Sequence, residues 1–502
     1  MKIWLNTLPL SQPTMDDCDD DCTPPDGWGL YGSLAPINFS LAEDILQYVR
    51  TNALQCTFPL HQQACDAERW LVCNPTGGGV VAVLDQQAQM LLKKFRVLKS
   101  LPTVMQELAE WPARSIEKCT ALLYQLGFLE GQQRPSFVHE WNEPAALSAW
   151  LHVTNACNLR CPYCYLHKNA EHMANDISRQ AVDAIFRSAT RNHFQRVQLK
   201  YAGGEATLHM SHVLAIHDYA SQLAREHGID LYAYIISNGV SLSQRGIDGL
   251  KQRNIGVTIS LDGIGAYHDA QRVFINGQGS FKYVDCTIDR LLASGLVPHI
   301  NVTVSQRNLN GLPALMDYIL TRNMSFTLSY YRDNECSSHI RDLQYVNAQM
   351  ITGMRAAFEV IERHLPRRCL LESLIDKAKM HGAHRHTCGV GQNYLVIDQH
   401  GAIAKCHADI RYTVTNIQVD DPLEAIRNDR AGIQGFSVED KEGCRTCEWR
   451  YWCAGGCPLL TYRVTGRSDV KSPNCNIYKA LFPDVLRLEA LRLLKYESPL
   501  IL

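Results

Sequence analysis

Between residues 149 and 330 the apolar positions fall in short continuous runs separated by longer amphipathic stretches. The runs cover 149–154, Arg196–Tyr201, Leu231–Ser237, Gly256–Leu261, Pro298–Val304 and Ser325–Tyr330. Runs of this length and composition read as strands. The intervening segments 177–193, 210–227, 241–253, 280–294 and 311–322 repeat their apolar residues at helical spacing. Six such repeats predict an α/β fold with a parallel sheet curled into a partial barrel. In parallel α/β folds ligands sit at the carboxyl ends of the strands, so the loop after each strand is where chemistry is expected.

The flanks read differently. Trp70–Asn74 and Val80–Leu84 are strand-like around a Gly77–Gly79 turn, and helical spacing follows in 88–98, 101–108 and 115–126, stopping at Gly127. The order is a β-hairpin and three helices over residues 70–135. Gly131–Pro144 is polar and proline-containing, which suits a linker before the barrel at 145–332. Residues 1–69 carry little pattern; the acidic stretch Asp16–Pro25 reads as a surface loop, with Cys18 and Cys22 as solvent-side thiols rather than metal ligands. Residues 333–387 are mixed and charged, a bridge with helical spacing at 350–365, and 388–502 interleave cysteines with a hairpin-like run at 394–406.

A chain of 502 residues is long enough for two to four domains. Its formal charge of −2 provides no global field that would draw it to nucleic acid or an anionic bilayer. The first ten residues are too interrupted for a signal peptide, and no run reaches the eighteen or so apolar residues of a membrane span. Of 19 cysteines, ten fall in two tight arrays with metal-ligand spacing, which points to a reducing cytoplasm rather than a disulfide framework.

The first array is Cys157-x3-Cys161-x2-Cys164, directly after the first barrel strand. Four-iron clusters normally take four thiolates, so three leave one iron open for a chelating ligand. Structural zinc would need a distant second pair, and only His167 and His172 are near. These residues, with Tyr163 before the third cysteine, resemble the radical S-adenosylmethionine (SAM) superfamily, which implies a SAM-binding 4Fe–4S cluster on a partial (β/α)6 barrel. The resemblance extends to Gly203-Gly204-Glu205 after the second strand, which implies a contact to the SAM amino group; the usual following proline is Ala206. It also implies ribose contacts at Ser237, Asn238 and Ser260, and a SAM-carboxylate partner in Arg272, whose planar fork suits a carboxylate. His268 and Asp269 read as a turn-stabilising pair.

The second array runs Cys388-x12-Gly401-x4-Cys406, then Cys444-x2-Cys447-x5-Cys453-x3-Cys457-x17-Cys475. This spacing resembles the seven-cysteine SPASM extension of radical SAM maturases. The resemblance implies that Cys444, Cys447, Cys453 and Cys475 hold one auxiliary 4Fe–4S cluster, and that Cys388, Cys406 and Cys457 hold a second. The fourth ligand of that second cluster stays open between Cys369, a histidine, substrate and none. A zinc ribbon on Cys444/Cys447 and Cys453/Cys457 is the competing reading.

Residues 70–135 resemble the winged-helix-like domain that recognises precursor peptides in or beside peptide-modifying enzymes; a helical cap that merely packs on the barrel is the alternative. Together these resemblances imply three 4Fe–4S clusters, SAM, an external electron donor such as flavodoxin or ferredoxin, and a precursor peptide whose leader binds residues 70–135. The implied activity is cleavage of SAM to a 5′-deoxyadenosyl radical and abstraction of a hydrogen from the peptide. A side-chain crosslink (carbon–carbon, thioether or ether) or a related oxidation would follow, with an auxiliary cluster taking the released electron. Val80–Leu84 reads as an exposed sheet edge to which the leader adds a strand. An anaerobic sulfatase maturase is the alternative; that family places a catalytic Asp after the second cysteine of the extension, where this chain has His407, with Asp409 two further on. These two residues are the candidates for catalysis. A non-enzymatic electron-transfer or scaffold protein would have no use for Gly203–Thr207 or Arg272.

Overall fold

The computed structural model describes residues 1–6, 42–132, 141 and 144–502. The acidic stretch with Cys18 and Cys22, and most of Gly131–Pro144, lie outside the described residues.

The N-terminal elements are β1 (Lys2–Leu5), α1 (Glu43–Thr51), β2 (Ala53–Cys56), β3 (His61–Ala64), β4 (Arg69–Cys73), β5 (Val81–Asp85), α2 (Gln86–Lys94), β6 (Lys99–Ser100), α3 (Leu101–Glu107), α4 (Ala113–Gln125) and β7 (Leu129–Gly131). Asp85 ends β5 and caps α2, its Oδ1 accepting from Ala88 N at 2.8 Å. The barrel elements follow: β8 (Ala146–Thr154), α5 (Asn175–Arg191), β9 (Arg196–Gly203), α6 (Met210–His227), β10 (Asp230–Ser237), α7 (Gln244–Gln252), β11 (Gly256–Ser260), the short α8 (Ala266–Asp269), α9 (Phe281–Ala293), β12 (His299–Val304), α10 (Leu312–Thr321) and β13 (Ser325–Tyr330). Beyond them lie α11 (Asn347–Arg363), β14 (Tyr394–Ile397), β15 (Ala402–Ala404), β16 (Thr413–Asn416), α12 (Pro422–Asn428), α13 (Arg450–Cys453), α14 (Pro458–Thr465), α15 (Cys475–Tyr496) and β17 (Leu500–Ile501).

Strands β8 to β13 pair in chain order, every neighbour parallel, and form the partial barrel that the alternating pattern predicts. The sheet does not stop at β8. Strand β14 joins it in parallel, with Leu395 opposite Ala149, and the antiparallel β15 and β16 extend it to nine strands. The hairpin of the second cysteine array is therefore continuous with the barrel sheet.

Three expectations change. Residues before 70 are not a separate extension, because β1 pairs with β5, and β2 pairs with β6 and β7. The segment 333–387 is more than a bridge: α11 buries Met350, Met354, Phe358 and Ile361 in the main core, which it shares with α15. Strand β5 is not an edge. The N-terminal sheet has the order β17-β1-β5-β4-β3, so β5 is paired on both sides. Its side chains alternate between two cores, Val81 and Val83 packing into the one that holds α15, Ala82 and Leu84 into the one that holds α2 and α4. A strand buried on both faces reads as a continuous apolar run, and from sequence alone that run looks the same wherever it lies in a sheet. The outer strand β17 brings the C-terminus back onto β1, with Leu502 N donating to Met1 O at 3.0 Å. Among the described residues no helix is long and apolar enough to cross a membrane.

Because Val81 N donates to Asn6 Oδ1 at 2.7 Å, Val81→Pro removes a buried donor and strands its acceptor. The expected loss is at least about 1–3 kcal/mol of stability, read as a lower denaturation midpoint. A folded variant with an unchanged midpoint would contradict the central position of β5.

Candidate active site

The loop after β8 carries Cys157, Cys161 and Cys164, and its path is fixed by the backbone at the end of β9. Gly204 N donates to Thr154 O at 2.7 Å and Glu205 N to Ala156 O at 2.8 Å. Neither approach leaves room for a side chain: a Cβ at Gly203 would lie 2.3 Å from Thr154 O, and one at Gly204 the same distance from Ala156 O. The two glycines are required because a backbone passes against them. Thr154 Oγ1 tightens the same turn, accepting from Ala156 N at 3.0 Å and donating to Glu171 O at 2.9 Å.

Glu205 is buried and ties β9 to β10. Its Oε1 accepts from Thr207 N (3.1 Å), Thr207 Oγ1 (2.6 Å) and Ser237 Oγ (2.8 Å), and its Oε2 from Asn238 N (2.6 Å). Burial pushes its carboxyl pKa up, and these hydrogen bonds oppose the rise. Asn238 Nδ2 in turn reaches Asn158 Oδ1 at 2.8 Å and Cys157 Sγ at 3.8 Å. Glu205, Ser237 and Asn238, singled out as separate contacts, are one hydrogen-bonded unit.

Arg272 forms a second unit. Its Nε donates to Asp262 Oδ2 at 2.8 Å, with Asp262 fully buried and Arg272 nearly so. Tyr163 Oη donates to the same oxygen at 2.7 Å, and the guanidinium lies 5.4 Å from the Tyr163 ring centre. Thr303 N satisfies Asp262 Oδ1 at 2.8 Å. His268 and Asp269 hold the loop: Asp262 N donates to His268 Nδ1 (3.3 Å), His268 Nε2 faces Ser280 Oγ (3.0 Å), and Ser280 Oγ donates to Arg272 O (2.7 Å). Burial lowers the His268 pKa to about 4, so the ring is neutral, with Nε2 as its donor. Phe281 N closes the turn on Asp269 Oδ1 at 2.8 Å.

The three cysteines, Tyr163, Gly203, Gly204, Glu205, Ser237, Asn238, Ser260 and Arg272 all line one cavity of about 220 Å³. Trp150, Tyr165, Tyr331, His407 and Arg463 line the same cavity. The two catalytic candidates part company here. His407 lines the cavity, its ring stacked on Trp150 with centroids 4.4 Å apart and its Nδ1 3.1 Å from Tyr394 Oη. Asp409 turns to Arg463, whose Nη2 donates to its Oδ1 at 2.9 Å, while burial raises its carboxyl pKa. Sequence reading missed Asn301 and Thr303 on β12, which also line the cavity. Their signal was present as two polar residues spaced two apart in an apolar strand, and hence on one face.

In the C-terminal array Cys444, Cys447, Cys453 and Cys475 line a single hollow with Trp449 and Tyr478. Cys406 and Cys457 lie in one apolar cluster with Val390 and Ile433, and Cys388 packs against it. Cys369 lies elsewhere, in the main core beside Glu489 and Arg492, a buried pair whose atoms approach to 2.8 Å. His386 Nδ1 donates to Gly435 O at 3.1 Å, which leaves Nε2 as the acceptor nitrogen of that neutral ring.

Residues 151–314 match the Radical SAM superfamily. The chain carries a radical SAM domain. An uncharacterised protein of Archaeoglobus fulgidus is 23% identical over 364 residues, covering 70% of this chain and 83% of that protein. A PqqA peptide cyclase of Methylobacterium nodulans is 22% identical over 354 residues, covering 66% of this chain and 87% of that enzyme. Among solved structures, native anSMEcpe with bound AdoMet and Cp18Cys peptide superposes with a TM-score of 0.56 at 17% identity, over 68% of this chain and 99% of that one.

The radical SAM domain implies SAM and a 4Fe–4S cluster, and the residues present fit them. Three thiols open on one cavity, and burial pushes Cys161 up to about 12, so its bare thiol would stay neutral; a bound metal centre is what draws such a group to thiolate. Among the described residues no three His, Cys, Asp or Glu side chains converge on a single-ion site.

Gly204→Ala places a methyl group against Ala156 O and must displace the cysteine loop. Reconstituted without oxygen, the variant is expected to lose the iron and absorbance of the SAM-site cluster while far-ultraviolet circular dichroism stays unchanged. Full iron content in that variant would show that the close approach does not set the loop.

Proposed function

We propose that this protein is a radical SAM maturase that abstracts a hydrogen from a ribosomally made precursor peptide and installs a side-chain crosslink (carbon–carbon, thioether or ether) or a related oxidation. The observation that carries the reading is the single cavity, which runs from the Cys157–Cys164 loop to His407 and Arg463 beside the second cysteine array. A substrate bound there lies between the site of radical formation and a candidate electron acceptor. The PqqA peptide cyclase relatives and the peptide-bound structure of the same fold support a peptide as that substrate.

When bound, the cluster supplies the electron that breaks a carbon–sulfur bond of SAM, giving methionine and a 5′-deoxyadenosyl radical. The chain's own groups bind and shield. Oε2 of Glu205 accepts one hydrogen bond against three at Oε1, so it keeps acceptor capacity for the SAM ammonium. Arg272, held through Nε by Asp262, keeps its other nitrogens for the SAM carboxylate. Ser260 and Asn238 line the cavity for the ribose. Trp150, Tyr165 and His407 form an aromatic wall that keeps solvent from the radical.

In this reading Cys444, Cys447, Cys453 and Cys475 hold one auxiliary four-iron cluster, and Cys388, Cys406 and Cys457 a second. One of them accepts the electron released as the substrate closes its new bond. A flavodoxin- or ferredoxin-type protein supplies the first electron. Leader recognition passes from residues 70–135 to the whole N-terminal unit, in which β3 rather than β5 carries an edge unpaired among the described residues. The sulfatase-maturase alternative is the weaker reading: the residue after Cys406 is His407, held by Tyr394 and Trp150, and the nearby Asp409 is engaged by Arg463.

Replacing Cys157, Cys161 and Cys164 together by Ala is expected to abolish 5′-deoxyadenosine formation under dithionite while auxiliary-cluster absorbance remains. Substantial residual cleavage would sink the assignment. By contrast Cys447→Ala should still cleave SAM slowly yet yield no crosslinked peptide in mass spectra; product at the normal rate would exclude that cluster from the reaction.

A further inference from the structure

The two C-terminal cysteine sets are joined by one tight turn, Cys453-Ala-Gly-Gly-Cys457, whose first residue belongs to one set and whose last to the other. Three successive residues of the turn have positive φ: Ala454 at 44°, Gly455 at 81° and Gly456 at 72°. The turn is clamped from two sides. Thr387, adjacent to Cys388, brings its Oγ1 within 2.9 Å of both Ala454 O and Gly456 O. On the other side Lys441, only 2% exposed, donates from Nζ to Ala454 O at 2.9 Å. Its aliphatic stem runs so close to Gly455 that a Cβ there would lie 2.5 Å from Lys441 Cδ. Gly455 itself lines the hollow shared by Cys444, Cys447, Cys453 and Cys475.

A lysine this buried needs negative charge nearby. Burial pulls its pKa down, opposed by Cys444 and Cys453 of one set and by Cys388 and Cys457 of the other. Among the described residues its Nζ hydrogen-bonds to the Ala454 carbonyl and to no carboxylate. The site thus fixes one lysine nitrogen on the turn that joins the two cysteine sets.

We propose that Lys441 is a positioning residue whose ammonium, fixed on the Cys453–Cys457 turn, acts on both auxiliary clusters and holds their reduction potentials up. The inference rests on the reading that both cysteine sets bind clusters. A fixed cation favours the form carrying the extra electron, so removing it makes reduction harder at both sites. Charge and nearby hydrogen bonding are recognised levers on cluster potential. Lys441 contributes such a charge to both clusters from one fixed point on the turn.

The test is an EPR-monitored redox titration of the full-length protein, reconstituted without oxygen, comparing wild type with Lys441→Gln and Lys441→Arg. Lys441→Gln keeps a donor for Ala454 O but no charge. It is expected to lower the reduced-to-oxidised ratio of the auxiliary clusters about tenfold at fixed potential, a shift of about 59 mV for one electron, with Lys441→Arg close to wild type. Unchanged auxiliary signals in a fully iron-loaded Lys441→Gln protein would overturn the proposal. So would loss of auxiliary iron from that variant, which would mark the lysine as a structural clamp. The underlying reading fails separately and earlier: a wild-type iron content of about four rather than about twelve per chain would remove the auxiliary clusters themselves.

Discussion

The close passage of the β9 terminus against the loop after β8 is the constraint on which the rest of the site depends. Two glycine positions allow two backbone hydrogen bonds, Gly204 N to Thr154 O and Glu205 N to Ala156 O, where any Cβ would lie within 2.3 Å of a carbonyl oxygen. Those bonds fix the start of the cysteine loop relative to the sheet. They also present Glu205 to β10, where its carboxylate takes Ser237 and the Asn238 backbone, and Asn238 reaches back to Cys157. The first three strand ends of the barrel are thus closed into one hydrogen-bonded ring around the cavity. The Asp262–Arg272–Tyr163 unit does the same for the fourth strand, with the third cysteine's neighbour as its partner.

The second constraint is that the cysteine trio and Cys406 of the second array follow strands of the same sheet. With β14 in parallel register against β8, the hairpin that leads to Cys406 and His407 is positioned by main-chain bonds rather than by a flexible link. His407 therefore reaches the cavity as a ring stacked on Trp150 of β8 itself. On the outer side α15 begins at Cys475, crosses the core against α11, and delivers β17 to the N-terminal sheet. One helix ties Cys475 of the second cysteine array to the N-terminal sheet. A displacement at either end is then felt through packed side chains, since close-packed interiors transmit strain.

Local features carried much of this into the sequence. The six strand runs and five helices of the barrel are visible because each element's period is set by its own geometry, 2 or 3.6 residues. The cysteine trio, Gly203–Glu205 and the seven-cysteine spacing are visible because ligands on one loop or turn must be close in sequence. The pairing of Asp262 with Arg272 and Tyr163 is less visible, since 99 residues separate Tyr163 from Asp262. Asn301 and Thr303 were legible only as two polar residues breaking an apolar strand.

What the sequence by itself determined was the alternation of strands and helices in the barrel and the local motifs, the cysteine trio and Gly203–Glu205 among them, that line the cavity. What only the tertiary structure decided was adjacency across long loops: that β5 is the middle strand of its sheet and not an edge, that β14 extends the barrel, that Cys369 lies with Glu489 rather than with Cys388, and that Lys441 sits between two cysteine sets. The physical reason is the same in each case. A residue's period and burial are encoded by its near neighbours, whereas a strand's partner and a buried charge's counter-charge come from distant segments brought together by the shared core.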